Sequence, residues 1–412
     1  MLEQMHHMAD FGLSCNTPAD AIVADIQAMV ARSRGVSEKL AAGVAHLLKK
    51  AGVRVVMGCG VLSKGSRPFH VQVKDNLFQA LHVILATGAQ ARTLPFPSCD
   101  VWTAKEALAP QTIPKDLLVI GAGVIGIEFA SFYTSLGSKV TIIEQGTRIL
   151  PTEDEEISAY AQKTFEKKGM CFVLGHTVQN LSKEKDMYTA NLSDDNIWIG
   201  DTVLVAIGIV GHTQGIGLEK TAVCVKHDHI LVNAFQETDQ PGLFAIGDVA
   251  GPPWLAHKAS HEGILCVEYI AGHPVTPLDP LCIPGCIYSQ PQIASIGLTQ
   301  RAAQDKGLSI KVGRFPFSGN GQALAYGQSE GFVKVLFDQT TGELLGAHMI
   351  GSVVTELIQG FAIAKTLEAT EESLRHVIFP HPTFSEAMHE AVLDADKLML
   401  HGVHTPKSCP PF

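Results

Sequence analysis

The segment Phe379-Pro380-His381-Pro382-Thr383-Phe384-Ser385-Glu386 puts an imidazole and a carboxylate within reach of each other along the chain. A carboxylate on one ring nitrogen fixes the tautomer and raises the basicity of the other, so His381 oriented by Glu386 would serve as an acid/base catalyst. Glu386 has a second reading, as the far end of a capping box begun by Thr383 at the head of a helix. Gly121-Ala122-Gly123-Val124-Ile125-Gly126 is a G-x-G-x-x-G. In a dinucleotide site the first glycine makes the tight turn, the second admits a pyrophosphate to the backbone, and the third lets helix and strand pack closely. A carboxylate at Glu144 would accept from a free ribose 2′-OH and repel a 2′-phosphate, which favours NAD over NADP. Asp248 in LFAIGD could accept hydrogen bonds from a sugar-like polyol, or cap the helix expected at 259–270. Thr87-Gly88 either let the chain pass beneath a nucleotide or simply make a turn. His6-His7 lack nearby partners and read as a solvated pair, so no metal is expected.

These groups need elements to hold them. Leu117–Ile120 is an apolar run of buried-strand length ahead of the glycines. An apolar helical pattern through Ile127, Phe129, Phe132, Tyr133 and Leu136 follows, stopped by Gly137, and then a strand, Val140–Ile143, ends in Glu144. Strand, loop, helix, strand and acid in that order carry the dinucleotide reading, and the helix N-terminus adds free N–H groups for phosphate. Upstream, two helices are expected at 19–32 and 37–50, then β-type pieces at 53–57, 60–62, 69–73 with 78–81, and 83–89. Four prolines between 90 and 114 mark a crossing into the glycine-loop domain. After Glu144 come an acidic helix over 153–168 and strands at 171–174, 188–192, 203–207 and 243–246. From about 281 the pattern turns α+β, with strands at 309–315, 331–337 and 344–349 and helices near 354–366 and 385–394.

At 412 residues, 46% hydrophobic and 17% charged, the chain can build two or three cored domains. A net charge of −10 without long basic runs argues against nucleic-acid or anionic-membrane partners. No apolar run approaches the ~18–20 residues of a membrane span, and the N-terminus lacks a signal pattern, so a cytoplasmic location is expected. The nine cysteines are scattered and odd in number, which reads as reduced and mostly buried thiols. Cys282 and Cys286, a C-x3-C, read as packing thiols.

ATGA (86–89), GAGVIGIEFA (121–130) with Glu144, VAIG (205–208), LFAIGD (243–248), PPWLAHKASHEG (252–263) and HPTFSE (381–386) stand in one order. In that order they resemble the pyridine nucleotide–disulfide oxidoreductases over essentially the whole chain. The pattern is most similar to the branch that oxidises a dihydrolipoyl dithiol for 2-oxo acid dehydrogenase complexes. The resemblance implies an α/β flavoprotein with two dinucleotide-binding folds and a C-terminal α+β interface domain. It implies FAD near Gly60, Thr87, Gly88, Asp248, Leu255, Ala256 and His257, and NAD on Gly121–Gly126, Glu144, Val178 and Gly208, with Glu128 near nicotinamide and flavin. His381 would be the acid/base, oriented by Glu386 and serving the flavin site of the other subunit of a homodimer. A lipoyl-bearing protein would be the partner. The implied domains are 1–114 with 241–280 for FAD, 115–240 for NAD, and 281–412 for the interface. The family's first strand–GxGxxG–helix and its redox C-x4-C have no counterpart here, which implies an N-terminally truncated chain with an incomplete FAD domain. Ile209-Val210-Gly211-His212 also departs from the family's Arg and Pro-Asn. Beside the enzyme stand two alternatives: a catalytically silent NAD-binding remnant, and a partner forming mixed dimers with a full-length paralogue.

Overall fold

Asp25 opens helix α1 of the computed structural model, which describes residue 11, residues 24–96 and residues 100–402. Its carboxylate accepts from the Ala28 N–H, and α1 runs unbroken from Ile26 to Lys50. The two helices expected at 19–32 and 37–50 are therefore one, while residues 19–23 lie outside the described residues, as do His6-His7, Pro97, Cys15, Cys99 and Cys409. Gly35 falls inside the helix. A mid-helix glycine costs only about 1 kcal/mol against alanine, too little to end a ladder that continues on both sides. Ile26 is the one buried residue of α1, and Val36, Leu40, Val44 and Leu47 are exposed.

The strand expected at 53–57 forms no ladder among the described residues, and Val53, Val55, Val56 and Met57 are exposed. An apolar β-type run becomes a strand only with a partner for its N–H and C=O groups. The pieces that follow do find partners. Strands β1 (Gly60–Lys64), β2 (Phe69–Val73) and β3 (Asn76–Ala80) form an antiparallel meander. β4 (Val83–Leu85) pairs in parallel with β14 (Leu243–Ala245), and β5 (Ala89–Ala91) pairs antiparallel with β13 (Ile209–Gly211).

The glycine-loop domain is built as its sequence requires. β6 (Asp116–Ile120) leads into α2 (Val124–Ser135), β7 (Lys139–Glu144), α3 (Glu155–Lys167) and β8 (Cys171–Leu174), and β12 (Thr202–Val205) completes a parallel sheet of order β12-β6-β7-β8. Leu117, Leu118 and Val119 are fully buried, as a strand covered on both faces must be. One face meets α2 and α3 through Ile127, Ala130, Tyr133, Ile157 and Phe165; the other meets the meander β9–β11 (Val178–Glu184, Met187–Leu192, Ile197–Gly200) through Leu181, Tyr188 and Leu192. Residues 209–232 were expected in this domain. Their Ile216, Leu218, Val223 and Ile230 instead pack with Leu62, Phe69, Leu85 and Leu243, so this stretch joins the N-terminal side.

The C-terminal domain is an antiparallel sheet of order β15-β16-β19-β18-β17: Gly285–Ile287, Gln292–Gly297, Leu344–Gly351, Gly331–Asp338 and Ile310–Pro316. Helices α5 (Val354–Thr366) and α6 (Glu386–Ala395) close its core, where Phe315, Val333, Phe337, Met349, Phe361, Met388 and Ala391 meet. Ile287, Ile293 and Ile350 extend that sheet into the core of the glycine-loop domain, so the two share an apolar contact. The expectation of mostly buried thiols fails for the described residues: Cys59, Cys171 and Cys224 are exposed and Cys266 is buried. Cys282 and Cys286 are free and partly buried, bonded to Asp279 Oδ2 at 3.3 Å and to Thr355 O at 3.8 Å.

Candidate active site

Glu386 is the first residue of α6, and its carboxylate faces back over the loop that precedes it. Oε1 lies 2.9 Å from His381 Nδ1, and Oε2 accepts the Thr383 N–H at 2.9 Å. Glu386 thus contacts both the His381 ring and the loop backbone. The Thr383 hydroxyl does not close a capping box, because it donates to Pro380 O and pairs with Ser385 Oγ. Asn320 Nδ2 donates to Thr383 O at 2.9 Å and steadies the loop. The His381 side chain is 79% exposed, and its Nε2 has no hydrogen-bond partner among the described residues. Burial pushes the Glu386 carboxyl up, but the Thr383 N–H and the His381 ring outweigh it and hold the group below its ordinary value. One turn further along α6, buried Glu390 holds His401 Nδ1 at 2.8 Å and accepts the N–H groups of Leu400 and His401. This second histidine–carboxylate pair spans eleven residues, a separation that no local motif signals.

The glycine loop shows why two of its glycines are needed. Gly121 sits at φ +106°, where a Cβ would lie 2.4 Å from Ala206 O, and a Cβ on Gly126 would lie 2.0 Å from Gly121 O. Gly123, by contrast, faces open space and is the N-cap of α2 without a side-chain acceptor. Together with Val124 and Ile125 it leaves unpaired N–H groups and a positive dipole end facing the opening. Glu144 Oε2 accepts the Ala122 N–H at 2.8 Å and Oε1 accepts the Gly146 N–H at 2.7 Å, so the loop itself holds the carboxylate. Each oxygen keeps a lone pair for a hydroxyl donor. Val178 begins β9 and is buried, and Gly208 lies at φ +104° with open space around it. Glu128 on α2 accepts the Tyr288 N–H at 2.8 Å from the C-terminal domain, and burial raises its carboxyl above the ordinary value despite that bond.

The third group lines the N-terminal side. Gly60 and Thr87 border a cleft of about 210 Å³ with Leu62, Val83, Leu85 and Ile216. Thr87 Oγ1 donates to His212 O at 2.8 Å, His212 Nδ1 lies 2.9 Å from Thr87 O, and the His212 N–H donates to Gly88 O at 2.9 Å. The departure at His212 thus pins the Thr87-Gly88 turn. Asp248 lies half-buried in a turn (Gly247–Ala250) and does not cap α4 (Ala256–Ile270), whose N-cap is Leu255. Ala256 and His257 form the first turn, and His257 Nε2 bonds Pro284 O at 2.8 Å. Inside α4 a buried pair missed from sequence, Lys258 and Glu262 at 2.8 Å, ties Gly251 O to the Gly247 N–H. Its signal was the i,i+4 spacing of opposite charges. Among the described residues no hydrogen bond joins His381–Glu386 to either nucleotide group. Nor do they include a cluster suited to a metal ion, or a helix long and apolar enough to cross a membrane.

A family model described as pyridine nucleotide-disulphide oxidoreductase matches residues 5–263, and the dimerisation domain of the same family matches 283–392. The chain belongs to the pyridine nucleotide-disulphide oxidoreductases. Among curated members of this oxidoreductase family, the dihydrolipoyl dehydrogenase of Rhizobium etli is 45% identical, covering 96% of this chain and 86% of its own length. That of Zymomonas mobilis is 46% identical over 92% of this chain and 83% of its own. That of Bacillus subtilis is 42% identical over 90% and 82%. Among solved structures, LpdA of Mycobacterium tuberculosis superposes with a TM-score of 0.86 at 24% identity, covering 97% of this chain and 88% of that one. The HOCl-induced flavoprotein disulfide reductase RclA of Escherichia coli gives 0.84 at 22%, covering 95% and 88%. At that identity the two structures speak for the shared oxidoreductase fold alone.

Proposed function

We propose that the protein works as a dihydrolipoyl dehydrogenase-like enzyme, oxidising a dihydrolipoyl dithiol with NAD through FAD. The observation that carries this reading is the 2.9 Å contact between His381 Nδ1 and Glu386 Oε1, which leaves Nε2 open as the base for a thiol proton. Relatives at 37–46% identity support it over a silent remnant or a modulating partner.

NAD fits the residues present: open backbone at Gly123, an uncapped helix N-terminus, and a Glu144 carboxylate already aimed across the loop. That carboxylate would accept from the ribose hydroxyls, Val178 and Gly208 would line the rest of the NAD site, and Glu128 would lie near nicotinamide and flavin. FAD fits at Gly60, Thr87, Gly88, Asp248, Leu255, Ala256 and His257. Asp248 accepts no hydrogen bond to its carboxylate among the described residues and would take a polyol hydroxyl, and the α4 N-terminus carries no side-chain cap. Bound FAD supplies the two-electron step between dithiol and NAD. The protein's own contribution is to hold NAD, pin the Thr87-Gly88 turn and move the thiol proton at His381 Nε2. The 412 residues contain one G-x-G-x-x-G and no C-x4-C, so the disulfide used by the family for thiol exchange is not among them.

The packing supports an FAD-side domain that includes residues 60–91 and 208–280, an NAD domain of 94–207 whose core takes in Leu94, Phe96, Val101, Trp102 and Ala107, and an interface domain from residue 281. We infer a homodimer through that last domain, with His381 serving the partner subunit, a lipoyl-bearing protein of a 2-oxo acid dehydrogenase complex as partner, and a cytoplasmic setting. The test is the purified chain incubated with FAD: a flavin band at about 450 nm and dihydrolipoamide-dependent NADH formation, reduced about 10²–10⁴-fold in His381→Gln, are the expected results. A colourless protein inactive with dihydrolipoamide overturns the reading.

A further inference from the structure

The dinucleotide loop is braced by a residue of another domain. Lys334 on β18 is buried, as is Asp154, and Lys334 Nζ donates to Asp154 Oδ1 at 2.7 Å. Asp154 is the N-cap of α3. Its Oδ1 also accepts the Glu156 N–H, its Oδ2 accepts the Gln300 N–H at 3.1 Å, and its carbonyl accepts the Ser158 N–H at 2.9 Å. Buried Ser158 then donates from Oγ to Leu150 O at 3.0 Å. The Leu150 N–H donates to Ala122 O at 2.8 Å, and the Ala122 N–H donates to Glu144 Oε2. A continuous run of hydrogen bonds thus leads from an interface-domain ammonium to the middle of the G-x-G turn and to its terminal carboxylate.

We propose that Lys334 is a positioning residue for the dinucleotide site, holding the Leu150–Asp154 segment so that the Ala122 peptide and Glu144 keep their places. The proposal rests on the NAD reading of the loop. A buried ion pair is weak as a source of stability, because well-packed neutral groups often replace it without loss. It is effective as a geometric constraint, since both charges must stay together. Leu150 at φ +46° fits that view, because a β-branched or γ-branched side chain in the left-handed region must be held there by its surroundings.

The experiment measures NADH affinity of the full chain by titration, well below the melting temperature. Lys334→Met alone would strand a buried carboxylate, so it is combined with Asp154→Asn, whose amide oxygen still caps α3. Ser158→Ala breaks the run in its middle. Tyr160→Phe serves as control: it removes another link between the same two domains, the Gly331 N–H to Tyr160 Oη bond of 2.9 Å, which lies off the run. The expected result is a Kd raised about 3–10-fold by Lys334→Met/Asp154→Asn and by Ser158→Ala. The combined variant should be less than multiplicative, and Tyr160→Phe should stay within about twofold of the parent. An unchanged Kd in the first two, or an equal rise in the control, overturns the proposal. Parent chain that fails to bind NADH overturns the dinucleotide assignment, and the proposal with it.

Discussion

Glu386 divides its carboxylate between a ring and a backbone N–H, and that division ties its chemistry to its structure. With its value held below the ordinary carboxylate range by the Thr383 N–H and the His381 ring, the group stays ionised across neutral pH, and His381 keeps its charged partner there. Glu386→Gln should lower the rate about 10–100-fold while leaving the fold intact, because glutamine still accepts the Thr383 N–H; steady-state kinetics beside a circular dichroism spectrum would show both. Glu153 behaves the opposite way. Burial pushes its carboxyl up and Asp154 adds to this, against the pull of Ser295 and Arg148. A raised carboxylate favours the folded state in acid and loses that advantage as pH rises from its unfolded value through its folded one. Glu153→Gln should therefore melt higher than the parent by a few degrees at pH 7, with the gap closing toward pH 4 in calorimetry. The pairing of His381 with Glu386 was legible because the two are neighbours in sequence. Glu390 with His401, Lys334 with Asp154, and Glu128 with Tyr288 were not, since each joins segments brought together only by tertiary packing.

At the level of elements, the strand–loop–helix–strand around Gly121 was readable because each boundary has a local cause: an apolar run, a glycine, a helical stripe, another glycine. Gly126→Ala should abolish tight NADH binding and cost about 1–3 kcal/mol, since the added carbon meets a peptide oxygen rather than a yielding side chain. Gly35→Ala is the reverse case. Nothing lies near its Cβ position within α1, so the substitution should stabilise α1 by about 0.5–1 kcal/mol without touching nucleotide affinity, as denaturant titration would show. The merged helix and the missing strand at 53–57 escaped sequence reading for different reasons: one mid-helix glycine costs too little to end α1, whereas the strand lacked a partner. Propensity marks what a segment can become, and partners decide what it does become.

Across the whole molecule, stability is uneven. The sheet β15–β19 is sealed by α5 and α6, whereas α1 buries one residue and the stretch at 53–57 buries none. Amide exchange should be slowest in β18 and β19 and fastest over residues 26–57, by several orders of magnitude; uniform protection would contradict the burial pattern. The domain order was readable, because the motifs punctuate it. The allegiance of residues 209–232 was not, because apolar residues at 216, 218 and 230 look alike whichever core they enter. The parallel pairing of β4 with β14 also bears on how the chain assembles. Its two strands are separated in sequence by the entire NAD domain, so during synthesis β4 must wait, unpaired, until that domain has emerged and folded. An exposed apolar strand edge held open for that long is where chaperones would bind and where overexpressed chains would self-associate.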